Sequence, residues 1–395
     1  MSGSSITITG MGIICALGDK PREILDGLLT GNQDGMREST GLVRDRTTFV
    51  GQVTVPLPDV PERLSDYRCR NNRFIVAAYN QISDDIELAK SRYGSDRVGI
   101  VIGTSTSGIA EGEKAVTHRL HCDTLPQGYN YKQQEMGTAA EFLAYLAGLS
   151  GIAYTVSTAC ASSSKVFASA KRLIEAGIID ACVVGGSDSL CGLTLNGFDA
   201  LESVSENICN PFSQNRDGIS IGEGAALFLL QKGAGEILLL GTGESSDAYH
   251  MSAPHPDGKG AETAIRGALA DAGLRPEDIG YVNLHGTGTR KNDLMESKAI
   301  NRIFGQSVPC SSTKSLVGHT LGAAGAIEIG FCWLTLFSWN RQQLLPLHRW
   351  DGIRDKELSP ITLIGERTRL ERSIVMSNSF AFGGSNASVI IGSKA

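Results

Sequence analysis

The chain has 395 residues, with 36 lysines and arginines against 42 acidic residues, a formal net charge of -6 and 41% apolar residues. A mildly acidic balance disfavours non-specific binding to nucleic acid or to anionic membrane, so neither is expected as a partner. The length suggests two or three domains, at roughly 100–200 residues each, with cores large enough to need no disulfide or structural metal.

The opening Met1–Ser5 has no basic or apolar leader pattern before a strand-like Ile6–Thr9, so no signal peptide is expected. No apolar run reaches the roughly 18 residues a membrane span needs. The nine cysteines are an odd number without C-x-x-C spacing, which fits reduced thiols and a cytoplasmic location. Apolar β-rich runs then alternate with helical patterns: Val98–Ile102, Ala181–Val184, Glu236–Leu240, Ile279–Leu284 and Ser373–Met376. Strands apolar on both faces and interleaved with helices predict an α/β layered fold.

Tyr154–Ser157 reads as a strand and Thr158–Ala159 as a tight turn. Beyond Cys160, Val166, Ala170, Leu173 and Ile174 recur at helical spacing up to a stop at Gly177. Cys160 is therefore predicted on a strand-to-helix elbow, where free N–H groups and the helix dipole favour a thiolate. A break at Gln231–Gly235 marks a seam. Beyond it, Leu284-His285-Gly286-Thr287-Gly288-Thr289 ends a strand and opens a helix carrying Asp293 and Glu296. Lys314 and His319 lie five apart in a turn before an Ala/Gly-rich helix. Open α/β sheets place their sites at such strand ends. Segments 155–170 and 309–328 share a strand–turn–helix pattern, and 218–230 and 379–391 share a Gly-rich turn leading into a β-run, so a duplicated unit is expected.

The other histidines and cysteines read as structural. His118, His121 and Cys122 are close in sequence but have no further clustered ligand, so no metal site is expected. His250 and His255 fall in a loop expected at the site entrance, and His348 reads as surface or packing. Cys15, Cys69, Cys182, Cys191, Cys209, Cys310 and Cys332 read as small inert fillers.

VSTACASSS (156–164), LHGTGTRKNDLMES (284–297), SSTKSLVGHTLGAAGAIE (311–328) and NSFAFGGSN (378–386), in this order and spacing, resemble the decarboxylating condensing enzymes of type II fatty-acid and polyketide synthesis. The segments 210–226 and 245–260 fit as well, so the resemblance spans the chain. It implies a thiolase-like fold of five αβαβα layers in two pseudo-duplicated halves. Residues 1–232 would carry the nucleophile, and 233–395 the two histidines and a Gly-rich gating loop. It implies Cys160 as acyl acceptor, with His285 and His319 as donors to an enolate. The N–H groups of Cys160 and Phe382 would form an oxyanion hole. Lys314 would set the field around the histidines, and Glu328 would fix the turn. Thr287 and Thr289 would touch the pantetheine arm, and Thr106 and Phe380 would gate the acyl pocket.

No cofactor is implied, because the substrates ride on the phosphopantetheine of an acyl carrier protein. Arg68, Arg70 and Arg73, clustered before an apolar run, are the expected carrier-docking surface. A dimer is implied, either with a second copy or with a chain-length-factor-like homologue, and Leu190–Phe198 would line a shared acyl pocket. Two positions depart from the family pattern. Ala381 stands where many relatives have glycine, and Thr106 where elongating relatives carry a bulky aliphatic gate. A thiolase would need a second cysteine in 380–386, and there is none. The initiating synthases have asparagine at the position of His319. Chain-length factors lack the nucleophile. The stretch 185–230 is most similar to ketosynthases of bacterial aryl-polyene clusters, with primary fatty-acid elongation, or a non-catalytic chain-length-factor-like partner subunit, as the alternatives.

Overall fold

The computed structural model describes residues 5–393; Met1–Ser4, on which the signal-peptide expectation falls, lie outside the described residues. Ten strands build the framework: β1 (Ile6–Ile14), β2 (Val98–Gly103), β3 (Ala153–Val156), β4 (Ala181–Asp188), β5 (Gly224–Lys232), β6 (Ile237–Ser246), β7 (Tyr281–Asn283), β8 (Pro309–Ser311), β9 (Ile374–Phe380) and β10 (Ser385–Ser393). The first five run in the order β3-β2-β4-β5-β1 and the second five in the order β8-β7-β9-β10-β6. In each set the fifth strand is antiparallel to both its neighbours and the remaining pairs are parallel. The two halves thus repeat one topology. They join where Ile6–Ile8 pairs antiparallel with Ile237–Leu239, and a two-residue strand, Thr362–Leu363, extends the edge beside β8.

Eight helices matter here: α1 (Arg70–Asn80), α2 (Ile109–Cys122), α3 (Thr138–Ala147), α4 (Ser162–Glu175), α5 (Gly192–Asp199), α6 (Lys259–Ala272), α7 (Arg290–Phe304) and α8 (Ala324–Leu336). Helices α4 and α8 touch strands of both halves, whereas α1 and α3 cover the outer face of the first half and α6 that of the second. The layers follow from side-chain alternation along each strand. In β2, Val101 joins the central core with Val166, Phe167, Phe228 and Ile327, while Ile100 and Ile102 face outward to Phe74 and Phe142. On the far side, Val282, Met376 and Ile390 pack on Ile265 and Ile300. Burying each such side chain stabilises the fold by roughly 1.5–3 kcal/mol.

The central position of α8 explains its composition, since every residue from Ala324 to Thr335 is buried. A Cβ at Gly325 would lie 2.0 Å from Ser164 Oγ, so a small residue is required where α8 crosses α4. Strand β3 ends the first half-sheet. It is partly exposed along its length, with Ile152 beside it 42% exposed. No helix among the described residues is long and apolar enough to cross a membrane.

Candidate active site

Cys160 lies between β3 and α4, and the local backbone shows how it is presented. Ala159 takes φ +51°, a left-handed conformation that costs a non-glycine residue about 1–2 kcal/mol. Ser162 Oγ offsets part of this cost by accepting from Thr158 N–H at 2.8 Å and donating to the Ala159 carbonyl at 2.6 Å. The strain turns Cys160 toward the second half of the molecule, where it packs among Ala159, Ala161, Ala381 and Ala387. Ala381 sits in extended backbone, φ -98°, so its methyl group adds no strain in this conformation.

His285 follows β7 in a loop held from beneath by two buried carboxylates. Glu296 accepts from the N–H groups of His285 and Gly286, both at 2.7 Å, and Asp293 accepts from Phe212 N–H at 2.8 Å and Gly288 N–H at 3.3 Å. Burial pushes the Glu296 carboxyl up to about 8, against the pull of those two donors. His319 follows Gly318, whose φ of +72° turns the chain inward. Its own N–H donates to Ser220 and its carbonyl accepts from Gly222.

These three segments converge. Sγ of Cys160 is 3.0 Å from Nε2 of His319, and the His285 and His319 rings stand perpendicular, 5.3 Å apart. One ligand-type atom from each of Cys160, His285 and His319 lies within 4.8 Å of the others, the only such trio among the described residues. A sulfur and two imidazoles are donors a soft divalent ion accepts. Neither Nδ1 atom has a hydrogen-bond partner, however, so the usual orienting acceptor of a metal-bound imidazole is missing. Lys314 is buried beside the trio, with Nζ 2.5 Å from the His285 carbonyl and 2.5 Å from Glu328. Glu328 thus neutralises the lysine rather than fixing the turn alone, and the lysine bonds the loop of His285, not its ring.

Burial, then the Lys314 charge, holds both imidazoles well below their usual range, so both rings are neutral near pH 7. Burial pushes the Cys160 thiol up to about 11, opposed by Lys314 and by the backbone N–H groups of Phe382 and Cys160. Those two N–H groups therefore lie close to the sulfur. The elbow predicted from sequence is present, but its dipole does not overcome desolvation. Cys160 rests as a thiol, with an imidazole nitrogen in place to take its proton. Its alkylation by iodoacetamide should accordingly rise about 100-fold from pH 7 to pH 9, following the thiolate fraction. Intact-mass kinetics at a series of pH values check this, and a rate already flat above pH 7 would mean a preformed thiolate–imidazolium pair. Cys122, by contrast, is exposed and is open to the reagent at once, so Cys160 is not expected to be labelled first, as a lowered thiol pKa would have had it.

A cavity of about 570 Å³ leads to the trio, lined among others by Phe198, Thr287, Thr289, Phe380 and Phe382. Thr287 and Thr289 bond each other on its wall at 2.9 Å. The Phe382 ring stacks at a tilt on Phe198, 5.4 Å away, and Phe380 lies 6.1 Å from the His285 ring. Thr106 is not on this wall. It is fully buried, with its N–H and hydroxyl both bound to Asp188, which also accepts from Thr104, Ser105 and Ala323. Of the expected pocket segment Leu190–Phe198, only Phe198 reaches the cavity. His348, read as surface or packing, is buried and accepts from Ser312 N–H at Nδ1, with Nε2 on the Pro211 carbonyl. His118 is half-buried and His121 and Cys122 are exposed at the end of α2, and they form no metal-ligand group among the described residues.

The arginines expected to meet a carrier are turned to other work. Arg70 Nε lies 2.8 Å from buried Glu223, its guanidinium over the Phe74 ring. Glu223 also accepts from the N–H groups of Val53 and Leu190. Arg73 donates to the Leu57 and Pro58 carbonyls, and Arg68 pairs with Glu62 at the surface. An Arg70→Glu variant should therefore unfold about 2–4 kcal/mol more easily, because it leaves Glu223 buried beside a like charge. Arg68→Glu should change stability by less than about 1 kcal/mol. Urea titration of the two variants checks the difference.

Sequence comparison agrees with this geometry. Residues 3–234 match the family described as "Beta-ketoacyl synthase, N-terminal domain", and residues 237–347 match "Beta-ketoacyl synthase, C-terminal domain". The chain belongs to the β-ketoacyl synthase family. Among solved structures, this β-ketoacyl synthase is similar to a ketosynthase (ApeO) in complex with its chain length factor (ApeC) from Xenorhabdus doucetiae. The two are 48% identical with a TM-score of 0.95, covering 99% of this chain and 98% of that one. It is 32% identical to nodulation protein E of Rhizobium meliloti over 97% of each chain. It is 29% identical to 3-oxoacyl-[acyl-carrier-protein] synthase 2 of Coxiella burnetii over 99% of each. The fold is accordingly thiolase-like.

The carboxylates that hold the site were not singled out as site residues from sequence. Glu296 and Asp293 follow His285 on the next helix, and that spacing was the available signal. Asp188 and Glu223 gave none, because their partners come from distant segments.

Proposed function

We propose that this chain is a β-ketoacyl-acyl-carrier-protein synthase that catalyses a decarboxylating Claisen condensation. The observation that carries the reading is the thiol of Cys160, 3.0 Å from a neutral imidazole and near a second one, on the wall of a cavity of about 570 Å³. In the first half-reaction the Cys160 sulfur attacks the carbonyl carbon of an acyl-carrier thioester. His319 Nε2 takes the thiol proton and returns it to the departing carrier thiol as the old C–S bond breaks. The Cys160 and Phe382 N–H groups donate to the tetrahedral oxygen.

In the second half-reaction the bond between the malonyl carboxylate and its α-carbon breaks, carbon dioxide leaves, and the electron pair becomes an enolate. With both Nδ1 atoms unbonded, neither tautomer is fixed: His285 carries its proton on Nε2 and donates it to the enolate oxygen, and His319 does the same once its proton has moved from Nδ1 to Nε2 after acylation. The enolate carbon then attacks the acyl-Cys160 carbonyl, the C–S bond breaks, and the sulfur leaves as a thiolate that takes up one proton from solvent to regenerate the thiol. Lys314, held by Glu328, keeps both rings neutral, and this chemistry needs no bound cofactor.

The stretch 185–230 favours acyl chains of the aryl-polyene type over primary fatty acids. A dimer, with a second copy or with a chain-length-factor-like homologue, accords with ApeO standing in complex with its chain length factor; the partly exposed edge strand β3 is the surface proposed for it, and the cytoplasm fits free cysteines. Incubation with acyl-carrier and malonyl-carrier, read by intact-mass spectrometry, tests the reading. The expected result is acylated Cys160, followed by β-ketoacyl-carrier and one carbon dioxide per turnover. Condensation without carbon dioxide release would overturn it.

A further inference from the structure

Two cations on the cavity wall have no role in the chemistry above. Arg290 and Lys291 open α7 and line the same cavity as Cys160, His285 and His319. Both are exposed, and neither belongs to any ion pair among the described residues. Asp217 and Glu202, the two acids on that wall, pair with neither. Asp355, whose carboxyl feels the Arg290 charge, is already bonded to buried Arg216. Two adjacent cations at the start of a 15-residue helix also oppose its dipole, which favours acids there. Their position is therefore locally unfavourable, and an anion held between them would remove the penalty. Thr287 and Thr289, on the preceding turn, lie further along the same wall toward the trio.

We infer that Arg290 and Lys291 bind the phosphate at the root of the phosphopantetheine arm, fixing how deep the thioester reaches toward Cys160. This rests on the synthase reading and adds to it a subsite for the arm's anion, separate from the carrier-docking surface expected at Arg68, Arg70 and Arg73. Phosphate is the fitting anion because a guanidinium and an ammonium together supply several charge-assisted donors to its oxygens.

The test compares an acyl-phosphopantetheine thioester with the same acyl-pantetheine thioester, which lacks the phosphate. The rate of Cys160 acylation is read by intact mass in the wild type and in an Arg290→Glu/Lys291→Glu double variant. Wild type should prefer the phosphorylated donor by about tenfold or more in kcat/KM, and the double variant should lose that preference. Each protein supplies its own ratio, so a partly unfolded variant does not mimic the effect. Equal rates with both donors in wild type, or an unchanged preference in the variant, would overturn the inference. Failure of wild type to accept an acyl group from either donor would instead count against the synthase reading itself.

Discussion

Replacement of Cys160 by alanine is expected to reduce acyl transfer and condensation by about 10⁴-fold or more, since removing the covalent nucleophile removes the step it divides. No second cysteine can take over. The remaining buried cysteines lie outside the cavity, and burial pushes Cys15 and Cys69 up to about 12. The substitution removes one sulfur from a cluster of alanine methyl groups, so the fold should lose only about 1 kcal/mol. Intact mass after incubation with acyl-carrier, alongside a thermal melt, separates a catalytic loss from a folding loss. A folded alanine variant that still becomes acylated would remove Cys160 from the mechanism.

The two histidines should separate by step. Loss of His285 removes a donor to the enolate oxygen and should slow malonyl decarboxylation by about 10²–10³-fold, a cost of roughly 2.7–4 kcal/mol. Acylation of Cys160 should be largely retained, because the thiol's contact is with His319. Loss of His319 should slow decarboxylation likewise and also slow acylation, by about 10²-fold or more, because it removes the base for a thiol pushed up to about 11. Single-turnover acylation and carbon dioxide release, measured separately, give the two rates. Equal effects of the two variants on acylation would show that His319 is not the base. The pH profile carries the sign of the same argument. Burial and Lys314 hold both rings well below 6.5, so the neutral, donating form persists as pH falls through that value. Wild-type decarboxylation should stay level from pH 8 to pH 6, and a decline centred near 6.5 would mean ordinary, solvated imidazoles.

Much of the site was legible because its pieces are local. The elbow at Cys160 follows from a β-run, a small-residue turn and helical spacing within about two dozen residues. The duplicated pattern of 155–170 and 309–328 became β3–α4 and β8–α8, placed alike in the two halves. The motifs around His285 and His319 pointed to the family before any contact was known. What could not be read was any property set by a partner far along the chain. Arg70 looked like free surface, but its partner Glu223 is 153 residues away. Thr106 looked like a gate, but Asp188, 82 residues on, holds it in the core.

The amino-acid sequence by itself determined most of the elements, the two repeated halves and the candidates for the reacting groups, since these depend on periodicity, turn chemistry and residue type within short windows. Tertiary structure alone decided the protonation states and the division of labour among the charged residues. Those depend on desolvation and on charges brought within a few ångströms, as with Cys160 and His319, 159 residues apart and 3.0 Å from each other.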